Sequence, residues 1–367
     1  MSLLFTILRE VRDPRDLNAR HDLGELLFLM LAATLCGAKS CVEIAEFAED
    51  REEDLKEIVS FGHGPPSHDT FSRVLRLLDP AELSRAFAAF MAALRSELGL
   101  AAPKGVVAVD AKALRRGYEK GHAYMPPLMV SVWDAETRLS IAAARAPGGD
   151  EVKATLALLK GLTLKGCTVT ADALHCHPAM AEAVLAAKAH YALGLKGNHG
   201  PLFAAAEQGF AAASDLAVFE TSERAHGRSE KRRASVLPVS QLPKPPAFPG
   251  LKAIGRIEAE RTPGNGKKPE RSVRYIALSK VLPPSKLAEV VRAHWSIENH
   301  LHWTLDVVFR EDDARTRKDN GPQNLAVIRR LAHNILRAHP LDKPMASKMR
   351  KANWNKQFFF ELFAQMR

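Results

Sequence analysis

Three acidic residues stand where they could do chemistry. Val106-Val107-Ala108-Val109 runs straight into Asp110, followed by Ala111 and Lys112. A short unalternated apolar run rich in β-branched residues reads as a strand buried on both faces. Asp110 then falls at or just past the carboxyl end of that strand, where ligands of open α/β sheets gather. Thr168-Val169-Thr170-Ala171-Asp172 repeats the device 62 residues later (172 − 110). One such Asp is more often a turn or cap residue; two suggest a shared carboxylate site. The third acid is Glu298. From Ser285 to about Val308 the pattern predicts one long helix with Leu287, Val290, Val291, His294, Leu301 and Leu305 on a common face. At about 100° per residue Glu298 lies about 20° from Leu287, in the apolar stripe. A carboxylate there is desolvated at a cost of several kcal/mol, is paired with Arg292 or His302, or faces a polar site that needs it.

Two strand-end aspartates and a helical glutamate offer hard oxygen ligands suited to Mg²⁺, with Mn²⁺ able to substitute. Two such ions about 4 Å apart clamp an in-line displacement at phosphorus. The chain has no G-x-S-x-G elbow and no Gly-rich phosphate loop ending in Lys-Ser/Thr, so no protein nucleophile competes with this scheme. A zinc hydrolase using His294, Glu298 and His302, spaced i, i+4, i+8, is a second reading, although it leaves Asp110 and Asp172 without a role. His175-Cys176-His177 is a weaker zinc candidate, with no second Cys/His pair at finger spacing.

The elements that must position these acids follow from the rest of the chain. Its 367 residues carry 52 Lys plus Arg against 42 Asp plus Glu, a net charge of +10 that favours a polyanionic partner such as nucleic acid. Four cysteines in so long a chain are too few for a disulfide framework. The apolar stretches Leu3 to Leu8 and Leu26 to Cys36 are too short for a signal peptide or a membrane span. The expected location is the cytoplasm, on the nucleoid.

Residues 1–98 read as an all-helical domain. Leu23 to Cys36 is apolar all round and predicts the central helix of a bundle. Ser40 with Glu43 is a capping box, and Ser67 and Asp79-Pro80 open two further helices. The helices around Gly62-His63-Gly64-Pro65-Pro66 form either a helix-turn-helix, with Ser67 to Leu78 reading DNA, or a purely structural bundle. Residues 99–200 predict the order β-β-β-α-β-α-β. Hairpin strands followed by α/β crossovers give a mixed sheet, the element order of the RNase H-like, retroviral-integrase-type fold. Residues 201–280 predict a β-rich insertion beside the cleft and outside the central sheet, with Pro/Gly breaks and a charge cluster from Arg224 to Arg233. Residues 281–367 carry the Glu298 helix and the end of the catalytic domain. In the tail, Lys343, Lys348, Arg350, Lys351, Trp354, Lys356 and three consecutive Phe either grip nucleic acid or pack a terminal helix.

Several blocks in this order resemble a known family. They are Pro66-Ser67-His68-Asp69-Thr70-Phe71, Val109-Asp110-Ala111-Lys112, Thr170-Ala171-Asp172-Ala173, Leu195-Lys196-Gly197-Asn198 and His226-Gly227-Arg228. The longest runs from Arg292 to Asp306 through Trp295-Ser296-Ile297-Glu298-Asn299, with Glu311-Asp312 after it. Over almost its whole length the chain resembles the DDE transposases of the ISAs1 group, related to the H repeat-associated proteins within the IS4-like clan. Ala111 departs from the family's Asp-Gly-Lys. His294 and Leu305 stand where wider IS4-like enzymes carry Arg and Lys. The resemblance implies that Asp110, Asp172 and Glu298 bind two Mg²⁺ ions and that the protein cuts double-stranded DNA at transposon inverted repeats and joins it to target DNA. It also implies a homodimer on paired DNA ends. The blocks and the charge cluster nominate Lys112, Lys196, Arg224, His226, Arg228, Arg232, Arg292, His294, Trp295 and His302 as DNA contacts. A non-cleaving DNA-binding protein descended from a transposase is the remaining alternative.

Overall fold

The computed structural model describes residues 2–16, 18–100, 102–118, 125–225, 228–263 and 268–364. Six helices come first: α1 (Ser2–Arg9), α2 (Leu23–Leu35), α3 (Cys41–Asp50), α4 (Glu52–Leu55), α5 (His68–Leu77) and α6 (Pro80–Glu97). Their starts are those the cap residues dictate. Asp22 accepts from the Glu25 N–H at 2.9 Å and Asp79 from Ala81 at 2.9 Å. Ser40 Oγ accepts from the Glu43 N–H at 3.3 Å and donates to its carboxylate at 3.2 Å, while that carboxylate accepts from the Lys39 N–H at 3.1 Å. Every residue of α2 but Glu25 is buried, as its unbroken apolarity requires.

The central unit follows as β1 (Val106–Ala113), β2 (Leu128–Asp134), β3 (Leu139–Ala146), α7 (Glu151–Lys160), β4 (Thr168–Ala171), α8 (Pro178–Ala186) and β5 (His190–Leu195). This is the β-β-β-α-β-α-β order read from the sequence. β1 pairs antiparallel with β2, β2 antiparallel with β3, and β4 runs parallel to both β1 and β5. After α9 (Gly200–Ala212) come β6 (Val218–Ala225), β7 (Arg228–Pro238), β8 (Ala253–Pro263) and β9 (Glu270–Leu278).

Here the structure corrects the expectation of an insertion outside the sheet. β9 pairs with the free edge of β5, from Ala192 opposite Leu278 to Leu195 opposite Tyr275. β8, β7 and β6 then add in turn, giving one mixed sheet in the order β3-β2-β1-β4-β5-β9-β8-β7-β6. The physical reason is the edge. β5 would otherwise present a row of unsatisfied N–H and C=O groups, which the returning strand satisfies.

Three cores hold the layers. On one face α7, α8 and α9 pack Leu159, Met180, Val184, Leu202 and Phe210 on Val107, Val109, Val169 and Leu193. On the other, α10 (Pro284–His294) lays Leu287 and Val290 on Ile257, Ile276 and Leu278. Gly255 makes this possible, since a Cβ there would meet Leu287 Cδ2 at 2.6 Å. The helix expected to run unbroken to Val308 instead opens into a π-helical turn, Ile297–His302, before α11 (Trp303–Val307). The chain ends in α12 (Gly321–Ala338), α13 (Met345–Trp354) and α14 (Lys356–Ala364). One continuous core joins Phe28, Phe71 and Phe87 of the helical segment to Trp133, Ile297, Leu301, Leu331 and Phe359. The tail phenylalanines Phe358, Phe359 and Phe363 are packing groups, Phe363 lying 5.0 Å from Phe28, whereas Trp354 is exposed; the buried Lys348 ammonium donates to the carbonyls of Leu336 and His339. Among the described residues, no helix is long and apolar enough to cross a membrane.

Candidate metal centre

Register brings the two aspartates to the end of one ladder. The parallel ladder of β1 and β4 runs from Val106 opposite Thr168 to Ala108 opposite Thr170. Two residues further along each chain are Asp110 and Asp172. β1 continues to Ala113 while β4 stops at Ala171, so Asp110 lies inside its strand and not at its end. The site opens where the two strands part. Asp172 caps the turn that follows, its carboxylate accepting from the Leu174 N–H at 3.0 Å. This turn passes over Gly194 of β5, where a Cβ would lie 3.1 Å from the Ala173 nitrogen.

Glu298 reaches Asp110 from the π turn. Its placement is fixed from beneath. The fully buried Trp133 donates its indole N–H to Ser296 Oγ at 2.9 Å, and Ser296 donates to the Ala293 carbonyl at 2.6 Å. A π turn inserts a residue and re-aims the side chains after it, a device frequent at functional sites. His302 Nδ1 stands 3.4 Å from both Asp110 Oδ2 and Glu298 Oε2, and ligand atoms of the three residues lie within 4.8 Å of one another. Burial, and then the Glu298 charge, push the Asp110 carboxyl up to about 8. Glu298, half-exposed and beside His302, is held below the usual carboxylate value. The opposite shifts are those of two neighbouring acids that cannot both carry a charge at little cost.

Asp172 gathers a second group. Ligand atoms of Asp172, Glu151 and His175 also fall within 4.8 Å, with His175 Nε2 on Glu151 Oε1 at 2.9 Å. His294 lies between the clusters. Its Nδ1 meets Thr170 Oγ1 at 3.0 Å, burial lowers its pKa, and the charges of Asp172 and Glu298 oppose that shift. The structure therefore joins Asp110 directly to Glu298, and holds Asp172 in a separate cluster with Glu151 and His175. The zinc trio His294, Glu298 and His302 is not among the three-residue clusters of described ligand groups; Asp110 takes the place of His294. His175-Cys176-His177 is no metal site of its own, because His177 Nδ1 caps α8 on the Met180 N–H.

The expected DNA contacts divide. Lys112 is turned inward: it is 7% exposed, and its ammonium lies 2.7 Å from Asp306, 2.6 Å from Asp312 and 3.7 Å from Glu311. Its charge is neutralised inside the protein, which corrects its nomination as a phosphate contact. Glu311 also takes the buried Arg330 guanidinium at 3.2 Å, and Arg330 donates to Ser131, the partner of Asp110 across β1 and β2. This network pins β1 to α12. His302 is buried within the carboxylate cluster. Lys196, Arg224, Arg292 and Trp295 are exposed. Arg292 pairs with Glu223 of β6, Arg232 with Glu230 at 3.0 Å, and the Arg274 guanidinium stacks over Trp295 at 4.9 Å. His226 lies outside the described residues, and Arg228 opens β7. On α5 the exposed His68, Asp69 and Arg73 face outward, while Arg76 pairs with Asp319 at 2.7 Å and Asn324 donates to the Leu75 and Leu78 carbonyls. The helix end is thereby fixed to α12.

Sequence reasoning missed Glu151 and the Lys112 network. Glu151 follows Asp150 at a helix start, where acids are ordinary capping residues; Asp150 does cap α7 on the Lys153 N–H.

An α/β chain built on a mixed sheet carries paired carboxylates beside the β1–β4 opening, grouped so that they could hold a metal ion. Comparison with known proteins narrows this to a family. Residues 101–335 match the family described as "Transposase DDE domain", and residues 5–91 match the one described as "DDE_Tnp_1-associated". The chain is 31% identical over 357 residues to the "H repeat-associated putative transposase YhhI" of Escherichia coli (strain K12), covering 95% of this chain and 93% of that protein. It is 32% identical over the same length and shares to "Putative protein YbfL" of the same strain. It is also 32% identical over 335 residues to "Putative transposase YncI" of Escherichia coli O157:H7, covering 87% and 83%. The chain belongs to the DDE transposases of the IS4-like type.

Proposed function

We propose that this chain is an insertion-sequence transposase of the ISAs1 group that cuts transposon DNA ends and joins them to target DNA by two-metal-ion phosphoryl transfer, on an RNase H-like catalytic fold. The observation that carries the reading is the meeting of Asp110 and Glu298, with Asp172 two residues past the last β1–β4 pair, Ala108 opposite Thr170. The donor set fits divalent cations. Carboxylate oxygens dominate, and two acids forced together with a carboxyl at about 8 lack only a positive charge. Asp110, Asp172 and Glu298 would hold Mg²⁺ or Mn²⁺. When bound, such ions supply Lewis acidity that activates an attacking water or 3′-hydroxyl and stabilises the leaving oxygen.

The chain's own groups do the rest. Trp133 and Ser296 fix the approach of Glu298, and the buried Lys112–Glu311–Arg330 network fixes β1 behind Asp110. His302 positions both carboxylates. Lys196, Arg224, Arg228, Arg232, Arg292 and Trp295 are the proposed backbone contacts on the DNA. The working unit is proposed as a homodimer on paired DNA ends, acting in the cytoplasm at the nucleoid. Residues 1–98 are proposed as the transposase-associated helical domain, 99–200 and 281–367 as the catalytic domain, and 201–280 as the insertion that extends its sheet.

The test is a labelled duplex carrying the inverted repeat that flanks the gene, incubated with the protein and Mg²⁺. Strand cleavage at the repeat boundary, lost in Asp172→Asn, supports the reading. Binding without cleavage by the unaltered chain would select the non-cleaving alternative.

A further inference from the structure

We propose that Glu151, Asp172 and His175 form a cation subsite of their own, which takes a divalent transition ion such as Mn²⁺, and that Glu151 is a fourth carboxylate of the metal centre. The inference rests on the metal-dependent reading above and assigns residues to it that the three-acid pattern does not contain.

Geometry is the first support. An ion with bonds of about 2.1 Å holds adjacent ligand atoms about 3 Å apart. His175 Nε2 and Glu151 Oε1 stand at 2.9 Å, and the Asp172 carboxylate completes a triad within 4.8 Å. They come from two segments: Glu151 opens α7, while Asp172 caps and His175 closes the short turn after β4.

Burial is the second. His175 is 1% exposed, and its Nδ1 has no partner among the described residues. A buried imidazole with one polar contact is costly to keep unless that contact works. Here the contact is the acid Glu151, and the cluster lies just past the Ala108–Thr170 pair, at the end of the β1–β4 ladder that also leads to Asp110. The donor types are the third support. Two carboxylates and an imidazole suit Mn²⁺ and its heavier neighbours better than Mg²⁺, which prefers oxygen. The Asp110–Glu298 cluster and this one therefore offer separate seats for two ions.

The experiment is a Mn²⁺ titration of the full chain followed by electron paramagnetic resonance. Two bound ions are expected. Glu151→Gln and Asp172→Asn should each weaken the same ion by at least about tenfold, and Asp110→Asn should remove the other. In the Asp110→Asn protein the remaining ion should show ¹⁴N coupling from one imidazole, a readout that needs no change at Glu151. Unchanged binding of both ions by a folded Glu151→Gln protein, fewer than two ions on the unaltered chain, or no nitrogen coupling would each overturn the subsite. The Mg²⁺ cleavage assay separates this from the functional reading. A chain that cuts DNA while Glu151→Gln keeps both ions fails only the subsite. A chain that loses one ion in Glu151→Gln but never cuts fails only the transposase chemistry.

Discussion

Asp110→Asn should make the metal-free protein more stable while removing its chemistry. Burial and Glu298 raise the Asp110 carboxyl from 3.8 to about 8. Between those two values the unfolded chain has lost the proton and the folded chain still holds it. Stability from this group is therefore full below about pH 4 and is lost as pH rises toward 8. At pH 7 the loss is about 3 units at 1.36 kcal/mol each, or about 4 kcal/mol. Glu298, shifted the opposite way by His302, interacts with the same carboxyl, so the part belonging to Asp110 alone is about 2–4 kcal/mol. Asparagine keeps the size, can donate to Glu298 as the protonated acid does, and carries no charge. Its Tm at pH 7 should exceed the parent's by about 4–8 °C, at about 2 °C per kcal/mol in a chain of this size. The two should converge at pH 4. Added Mg²⁺ should raise the parent's Tm more than the variant's, because the variant has lost one of the two ion seats and the proton an ion would displace there. Scanning calorimetry of both proteins at pH 4 and 7, with and without Mg²⁺, reads all of these shifts. An Asp110→Asn protein melting at or below the parent at pH 7 would refute the argument that the carboxylate is held at a cost for its ligand.

Glu311→Gln should destabilise by about 3–5 kcal/mol in urea unfolding, because it strands the fully buried Arg330 and leaves Lys112 one carboxylate fewer. A cost under about 1 kcal/mol would deny the network its role in holding β1. Gly255→Ala drives a Cβ into Leu287 at 2.6 Å and should cost about 1–3 kcal/mol while weakening metal-dependent cleavage through the shift of α10; unaltered cleavage would show that Glu298 is placed independently of α10. Replacing exposed Lys196 and Arg224 together by Ala should weaken DNA binding and flatten the log-affinity against log-salt slope by about 2. An unchanged slope in a gel-shift titration would remove both from the interface.

Local signals carried much of this molecule. The cap residues Ser40, Ser67 and Asp79 set helix starts, because a cap needs only its own next turn. Unalternated apolar runs located β1 and β4, since a strand covered on both faces has no polar side to alternate. The order of elements through β5 followed, and with it the candidate acids and the family resemblance. Tertiary structure decided what depends on partners distant in sequence. That β6 to β9 extend the sheet was set by the unpaired edge of β5, which no local pattern in residues 201–280 reveals. The inward turn of Lys112 was set by Asp306, Glu311 and Asp312, about 200 residues away. Glu298 sits in an apolar stripe on an ideal helix. Only the π turn, anchored by Trp133 on Ser296, re-aims it onto Asp110. Glu151 looked like any acid at a helix start, and only tertiary packing that brings the start of α7 to the turn after β4 gives it His175 and Asp172 as neighbours. Periodicity and capping act over a few residues, whereas a site built from four elements exists only where their packing brings them together.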